Sequence, residues 1–409
     1  MKNWFRNIGP GPLIAAAFIG PGTVTLCTLA GAGFGYSLLW AMVLSIIATL
    51  VLQEMSARLG IVSQKGLAEV IRTEIHNPLF KVLTIILIFA AIVFGNAAYE
   101  AGNITGAVLG LETIVGNPKM AFGSFTINLL SLSVGLIAFM ILYVGNYKTL
   151  EKILVSMVVI MSLSFIITGI ITKPDILKVL KGVFIPQFPK DSLLTIIGLI
   201  GTTVVPYNLF LHASLAKEKW HDKTDLQFAR KDTIIAVILG GIVSMFVIIS
   251  AATIQTDTIT NAIDLAKGLE PLFGSFAKYF LAIGLFSAGI TSAITAPLAA
   301  AYVASGCLGW ESNLRSKRFR SVWMFILILG ILLSSLGIKP IDIIKFAQVT
   351  NGILLPIIAG FLIWIMNQNT ILGTHKNSIK QNIFAFIIFG ISILLSLATL
   401  NKVFNLNIF

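Results

Sequence analysis

Charged side chains are scarce in this chain of 409 residues, of which only 11% are Asp, Glu, Lys or Arg. Soluble globular domains carry about 25% charged residues, so this composition excludes an ordinary soluble protein. The chain also has only two cysteines, Cys27 and Cys307, both in or beside apolar runs. A disulfide framework or a thiolate metal centre would need more of them, so we interpret both as small buried hydrophobic residues.

Catalytic signatures are absent from the sequence as well. We find no nucleophile with a base at a recognisable spacing, no phosphate-binding glycine loop and no cofactor motif. The net charge of +12 comes from lysines and arginines in short loops, which is typical of membrane topology rather than of nucleic-acid binding. We therefore expect no enzyme activity, no cofactor and no nucleic-acid partner.

Long apolar segments dominate the chain instead. Hydrophobic residues make up 56% of it, and many runs reach the roughly 20 residues that cross a bilayer as a helix. The first run follows Lys2 and Arg6 but lacks a convincing cleavage site, so we interpret it as a retained span rather than a signal peptide. Short connections leave no room for a soluble domain, so 1–409 is expected to form one transmembrane domain. The eleven predicted spans are 10–34, 38–57, 80–108, 125–144, 151–172, 192–215, 232–254, 275–306, 321–337, 342–366 and 382–401.

Lysines and arginines are unevenly distributed between alternate loops. With the N-terminus in the cytoplasm, 19 of the 29 fall on the cytoplasmic side, as expected when positive charge sets topology. An odd number of spans then places the C-terminus outside the plasma (inner) membrane. The loop from Lys173 to Lys190 carries lysines on the outer side, and we expect it to be a surface segment with short helices.

Two spans contain a helix-breaking sequence, GPGT at 20–23 in span 1 and VVPYN at 204–208 in span 6. Proline removes a backbone hydrogen bond and glycine lets the chain unwind. At membrane depth, unwound backbone is tolerated only where it is buried in protein or lines a cavity. Because the breaks are five spans apart, the second half enters the membrane upside down relative to the first. Inverted-repeat transporters have this arrangement and bind substrate between the repeats, here 10–172 and 192–366, with 382–401 as an additional helix.

Several stretches around these breaks resemble the Nramp (natural resistance-associated macrophage protein) transporters. The matches are PLIAAAFIGPG at 12–22, GAGFGYSLLW at 31–40, QEMSARLG at 53–60, and Pro206 followed by NLFLH at 208–212. The resemblance implies an all-α membrane protein with a LeuT-like inverted repeat of 5+5 helices, spans 1 and 6 broken, and one extra helix. It also implies secondary-active transport by alternating access. Metal-transporting members couple uptake of manganese or iron to protons, and their metal ligands lie at the two breaks.

The chain departs from the family at those ligands. Gly20 stands where the family has an aspartate, and Thr23 stands where it has an asparagine. Val205 replaces the family's methionine and Tyr207 its histidine, while Thr202 occupies the position whose carbonyl coordinates the metal. The helix interruptions are kept and the side-chain ligands are lost, so no metal ligand is assigned from the sequence.

The altered breaks favour a small anion over a metal. Helix N-termini present unpaired N–H groups and partial positive charge, which bind anions, and an aspartate at position 20 would have repelled them. We expect bicarbonate or a small carboxylate. The alternatives are a proton-coupled divalent cation (manganese, iron or magnesium) in a rebuilt site, a sodium ion or neutral solute, and a transport-dead sensor. The expected substrate-binding residues are Gly20, Gly22, Thr23, Thr202, Thr203, Val205 and Tyr207.

Other polar residues within the spans have two interpretations each. Glu100 in span 3 is a candidate for coupling to protons or sodium, although Ala97 stands where many family members keep an acid; the alternative is a carboxyl held by neighbouring amides. His212 is a second coupling candidate or a structural hydrogen-bonding group. The amides expected to line the pathway or to join helices are Asn96, Asn103, Gln348 and Asn351.

Two further polar groups are expected to be structural. Glu54 and Arg58 lie four residues apart near the end of span 2, which predicts an ion pair that fixes the helix end. In span 8, packing is the favoured interpretation of Thr291, Ser292 and Thr295.

Overall fold

The computed structural model describes residues 9–11, 13–14, 19–116, 118–122, 125–144, 156, 159, 162–254, 259 and 262–404. Their regular structure is helical except for one hairpin. The helices are α1 (Pro21–Phe34), α2 (Leu39–Ser63), α3 (Leu67–Glu74), α4 (Pro78–Val115), α5 (Leu129–Val144), α6 (Ser162–Ile171), α7 (Ile176–Phe184), α8 (Leu193–Thr203), α9 (Pro206–Lys219), α10 (Leu226–Ala251), α11 (Ala262–Ala266), α12 (Glu270–Phe273), α13 (Ala277–Leu308), α14 (Lys317–Ser334), α15 (Pro340–Met366), α16 (Asn369–Leu372) and α17 (Ile379–Phe404). The strands β1 (Lys119–Phe122) and β2 (Phe125–Asn128) pair antiparallel.

Among these described residues, seven helical stretches are long and apolar enough to cross a membrane. They are α2, α4, the α8–α9 pair, α10, the stretch that ends in α13, α15 and α17. The shorter apolar helices α5 and α6, together with α1, fall within three of the remaining predicted spans, and α14 overlaps the fourth but begins four residues before it. The architecture is therefore the all-α membrane fold expected from the sequence.

One segment predicted to be helical has a different secondary structure. Residues 125–128 are strand β2 rather than the first turn of span 4, because they pair with β1, with Lys119 opposite Asn128. Several residues of predicted spans 1 and 5 lie outside the described part of the chain, namely 12, 15–18, 151–155, 157–158 and 160–161.

Close contacts between helices surround the first break. A Cβ atom added to Gly106 of α4 would lie 2.1 Å from the Pro21 side chain, so α4 passes directly beside the start of α1. A Cβ on Gly289 of α13 would lie 2.5 Å from Ala107, which brings α13 against the same part of α4. Small residues allow helices in membranes to approach this closely.

The loops after α2, α9 and α15 meet on one face of the molecule. Arg58 donates to the His375 carbonyl and to Asn377 Oδ1, both at 2.8 Å. Glu54 accepts from Arg58 at 3.0 Å and from Arg230 at 2.8 Å. The predicted Glu54–Arg58 ion pair is confirmed, and it belongs to a larger cluster that joins three helix ends.

The opposite face carries the loop after span 5. Its short helix α7 packs with Gly182 against the backbone of Tyr36, and the Trp40 indole donates to the Gln187 carbonyl at 3.0 Å. The expected surface segment with a short helix is thus confirmed. The two faces separate the loops as the sequence predicts, while the assignment of one face to the cytoplasm stays a prediction from lysine and arginine content.

Candidate substrate site at the broken helices

The first break ends where α1 begins. Gly20 is the N-cap, with φ −92° and ψ −177°, and Pro21 occupies the first helical turn. Proline is favoured there because its missing N–H would have no helical partner. The Gly20 carbonyl accepts the first helical bond from Val24 N at 3.2 Å. The chain at this break is extended and enters α1 with its remaining N–H groups uncapped by a side chain.

The second break consists of two residues between α8 and α9. Val204 has φ −88° and ψ 73°, and Val205 has φ −80° and ψ 118°, so neither is helical. Pro206 begins α9 and has no N–H to donate to the carbonyl of Thr202, four residues earlier. The last turn of α8 therefore presents carbonyl oxygen at the break, and the first turn of α9 presents N–H groups.

The fold brings the two breaks into contact. The Thr23 and Thr202 hydroxyls are 2.7 Å apart, and both side chains are buried. Gln348 of α15 lies against both breaks, since a Cβ on Gly22 would be 2.0 Å from its Nε2 and a Cβ on Gly201 would be 2.2 Å from its carbonyl oxygen. Four residues expected to bind substrate are thus placed together, Gly20, Gly22, Thr23 and Thr202, and Gln348, expected to line the pathway or to join helices, lies beside them.

Two tyrosines extend this region towards α4. The Tyr99 and Tyr207 rings contact edge to face, with centroids 5.2 Å apart. The Tyr207 hydroxyl lies near those of Tyr99 and Thr295 without hydrogen-bond geometry to either, and it is fully buried. The next residue, Asn208, is also buried, and neither side-chain atom has a partner within the described residues. Buried polar groups are nearly always hydrogen-bonded, so these atoms mark a place where a ligand or water would be bound.

The remaining expected substrate-binding residues lie differently. Thr203 donates to Leu199 O at 3.1 Å and to Met42 Sδ at 3.7 Å, so its hydroxyl is turned towards α2. Val205 is buried at the N-cap of α9 and contributes backbone rather than a polar side chain.

The coupling candidates are both buried away from solvent. Glu100 accepts from Asn103 at 3.3 Å and packs against Gly330 of α14, and its Oε1 has no partner in the described part of the chain. His212 Nδ1 lies 2.8 Å from Gln53 Oε1, while its Nε2 is unpartnered among the described residues.

Some of the other polar side chains within the spans hydrogen-bond to helix backbone, and others have an atom without a described partner. Asn96 donates to Ala296 O at 2.8 Å, which joins α4 to α13. Thr291 and Thr295 return their hydroxyls to their own helix, to Ser287 O and Ser292 O. Asn351 lies one turn from Gln348 in α15, and both side chains are buried. Neither Asn351 Nδ2 nor Gln348 Oε1 has a described hydrogen-bond partner.

One contact at the start of span 1 was not predicted. The carboxylate of Asp232 accepts from Gly9 N at 3.1 Å and from Gly11 N at 2.7 Å, and Gly9 packs on Trp220. This ties the segment before the first break to the start of α10. Sequence motifs gave no signal for it, because the donors are backbone groups.

The described polar side chains at the two breaks themselves are uncharged. Within the described residues no group of three or more His, Cys, Asp or Glu side chains converges on a point that could hold a metal ion. The polar groups that line the breaks are hydroxyls, amides and backbone atoms. They include both oxygen acceptors, such as Gln348 Oε1, and N–H donors, such as Asn351 Nδ2.

Comparisons with known proteins agree with this architecture. The family model for Natural resistance-associated macrophage protein-like proteins matches residues 11–402. The divalent metal cation transporter MntH of Bacillus subtilis is 28% identical over 386 residues, covering 91% of this chain and 86% of that protein. A metal transporter nramp1 homolog of Dictyostelium discoideum is 30% identical over 318 residues, covering 75% of this chain and 58% of that protein.

Solved structures show the same fold. The manganese transporter of Eremococcus coleocola superposes with a TM-score of 0.78 at 20% identity, covering 98% of this chain and 87% of that one. MhsT, solved in complex with L-phenylalanine, gives a TM-score of 0.63 at 16% identity, covering 95% and 97%. These neighbours confirm the LeuT-like fold expected from the paired breaks. With a family model matched over nearly its whole length, this chain is a member of the Nramp family.

Proposed function

We propose that this protein is a secondary-active transporter whose cargo is a divalent metal cation, held between the two breaks by neutral oxygen atoms and by its own waters. The relatives named as divalent metal cation transporters support the cargo class, and the closed, paired breaks support alternating access. The observation that carries the proposal is the buried oxygen without a hydrogen-bond partner beside the breaks, at Gln348 and Asn208.

These oxygens suit a hard cation better than a soft one. Gln348 Oε1, Asn208 Oδ1 and the Thr202 carbonyl are oxygen ligands of the kind that magnesium, calcium and manganese accept. Val205 offers no thioether, so the preference of softer metals for sulfur finds no ligand there. Because no carboxylate compensates for lost hydration, the cation would keep several waters, as magnesium does in proteins. We expect binding weaker than in a site with an aspartate.

Alternating access would require the Asp232 contact to open. The carboxylate accepts from Gly9 N and Gly11 N at the start of span 1, and we infer that this contact helps to close one face of the transporter. Movement of the first half of span 1 would expose the breaks to that face. Glu100 and His212 are both coupling candidates, because each has one hydrogen-bonded atom and one buried atom without a described partner, Glu100 Oε1 and His212 Nε2.

Flux into liposomes tests the cargo. Purified protein would be reconstituted with an internal divalent-cation dye, and Mn²⁺ and Mg²⁺ influx compared with empty liposomes. Thr23→Val removes a hydroxyl from the breaks and should reduce influx at least fivefold. The matched control is Thr49→Val, since Thr49 is equally buried but bonds to Ser45 O within α2. Absence of any divalent influx above empty liposomes would refute the proposal.

A small anion is the second candidate, and three observations at the breaks favour it. The breaks lack a carboxylate, α1 and α9 both begin there without a side-chain cap, and the amide nitrogens of Asn208 and Asn351 have no described partners. Helix N-termini and amide N–H groups bind anions. The relatives give this candidate no support, since those named above are metal transporters.

Gly20→Asp separates the two candidates. A carboxylate at position 20 adds a ligand for a cation, so divalent influx should persist or rise. The same carboxylate repels an anion, so bicarbonate influx, followed with an internal pH dye, should be abolished if the anion is the cargo. Bicarbonate influx in the unmodified protein, lost in Gly20→Asp and accompanied by no divalent influx in either, would establish the second candidate. No flux of any solute would favour the sensor alternative.

A further inference from the structure

Four basic residues cluster at one end of α14, where the sequence reads RSKRFR at 315–320. Three of them, Arg315, Lys317 and Arg318, are exposed, and Arg320 is partly buried. None of the four forms a salt bridge with another described residue, whereas Arg58, Lys217, Arg230 and Lys267 all do. The cluster therefore presents uncompensated positive charge on the face predicted to be cytoplasmic.

Aromatic rings and carbonyls fix two of these guanidinium groups. Arg320 stacks over the Tyr143 ring at 4.4 Å and donates to Leu314 O at 3.2 Å and to Tyr143 O at 3.1 Å. Arg318 lies over the Trp310 ring at 5.5 Å. A guanidinium has five N–H donors, so both retain donors for an external acceptor. This preorganisation distinguishes them from mobile surface lysines.

The cluster lies at the end of a lipid-facing surface. α5 and α14 run side by side, with Trp323 against Phe139 and Gly135 against Ile331. Both helices leave apolar side chains exposed along this surface, and Arg318 continues the exposed face of α14. The exposed apolar residues are Met140, Tyr143, Phe325, Ile328 and Leu332. Positive charge therefore occurs at the level where phospholipid headgroups would contact these two helices.

We propose that this cluster, Arg315, Lys317, Arg318 and Arg320, binds the headgroup of an anionic phospholipid, whose acyl chains lie along the α5–α14 surface. The phosphate would accept from the free guanidinium donors, and Arg is suited to planar recognition of phosphate. Charge complementarity identifies the occupant as anionic, and the adjoining apolar surface identifies it as a lipid rather than a soluble ion. The α14 N-terminus is not needed for this binding, because Ser316 already caps it by accepting from Phe319 N.

Acidic residues near the cluster in sequence leave its positive charge uncompensated. The nearest acid to the cluster in sequence, Glu311, is exposed and forms no described salt bridge.

Native mass spectrometry of the intact protein in detergent provides the test. The protein would be titrated separately with phosphatidylglycerol, phosphatidylcholine and inorganic phosphate. The triple variant R315Q/K317Q/R318Q removes three cations that form no described side-chain hydrogen bond or salt bridge, and it should weaken the tightest phosphatidylglycerol site at least tenfold. The matched control K223Q/K231Q/K380Q removes three exposed cations elsewhere on the same face and should change that affinity less than twofold.

Four outcomes decide the proposal. Selective phosphatidylglycerol binding that is lost only in the first variant supports it. Equal binding of phosphatidylcholine, equal binding in both triple variants, or competition by millimolar inorganic phosphate would each overturn it. If the first variant does not fold, R315K/R318K keeps the charge but not the planar donors, and its phosphatidylglycerol affinity should fall while that of K223R/K231R does not. Transport is not the readout, so failure here leaves the proposed function untouched.

Discussion

The breaks in spans 1 and 6 and the cluster around Arg58 organise polar groups differently. Around Arg58, charges are paired and joined to backbone and amide partners: Glu54 accepts from two arginines, and Arg58 donates to His375 and Asn377. Arg58 Nε is the buried atom of this cluster that has no described partner. At the breaks the polar side chains are neutral, and several buried atoms, including those of Asn208, have no described partner.

This difference distinguishes a fixed structural element, the Arg58 cluster, from a binding element, the two breaks. A buried charge is tolerated only when paired and hydrogen-bonded, so the Arg58 cluster stabilises a single arrangement of three helix ends. A neutral polar atom without a partner costs roughly 1–3 kcal/mol, which is small enough to persist until a ligand satisfies it. The predictions below test this contrast, beginning with the largest expected effect.

Arg58→Ala should destabilise the protein by about 3 kcal/mol, because removing one partner of a buried ion pair leaves the other charge uncompensated. Arg58 is 2% exposed and joins Glu54 to the loop after α15. Thermal unfolding in detergent measures the loss. Lys223→Ala, which removes an exposed cation from the same face, is the control and should change stability by less than about 0.5 kcal/mol. Equal effects of the two variants would mean that the cluster is not a fixed element.

Gly22→Ala should reduce transport about tenfold, equivalent to about 1.4 kcal/mol, with a much smaller effect on stability. The new methyl group would meet Gln348 Nε2 at 2.0 Å, and the amide at the end of a flexible side chain can move away. Its displacement would disturb the oxygen set at the breaks. Gly33→Ala is the matched control in the same helix, because a Cβ there meets nothing within 4 Å. Liposome flux and thermal unfolding of both variants check this, and normal flux in Gly22→Ala would contradict a role for Gln348.

Much of this fold could be predicted from local sequence. Apolar length fixes a membrane helix because every backbone group must be bonded internally, and Pro21 and Pro206 mark the breaks because neither can donate to the preceding turn. The ion pair of Glu54 with Arg58 followed from i,i+4 spacing. These features depend on residues close together in the chain.

The assembled site depends on contacts that local sequence does not contain. Gln348 was expected to line the pathway or to join helices, and the structure places it against Gly22 and Gly201, one at each break. Thr203 was expected beside Thr202, but one residue along a helix turns a side chain by about 100°, which carries its hydroxyl to Met42. Residues 125–128 resembled a helix start because their apolar composition suits either a strand or a helix.

Tyr207→Phe should lower transport about threefold and leave stability within about 1 kcal/mol of the unmodified protein. The hydroxyl has no hydrogen bond to lose, so its removal does not destabilise the fold. The ring contact with Tyr99 is preserved. Flux assays test the expected effect on transport, and thermal unfolding tests the expected effect on stability. The control is Tyr302→Phe, which does remove a hydrogen bond, to Glu218 at 2.8 Å, and should cost more stability than transport. A large stability loss in Tyr207→Phe would show that its hydroxyl is a structural group.

The smallest effect is expected at Asp175, on the face opposite the Arg58 cluster. Its ion pair with Lys178 spans 3.6 Å between half-exposed and exposed side chains, and exposed pairs contribute little. The backbone N–H of Lys178 donates to the carboxylate, which lowers the pKa of Asp175 below its usual value. A lowered folded-state pKa means that the contribution is present above the unfolded pKa and is lost as the pH falls through the folded value. Asp175→Ala should therefore lower the unfolding temperature slightly at pH 7 and not at all below the folded pKa. A loss at pH 7 as large as that of Arg58→Ala would show that burial is not what distinguishes the two ion pairs.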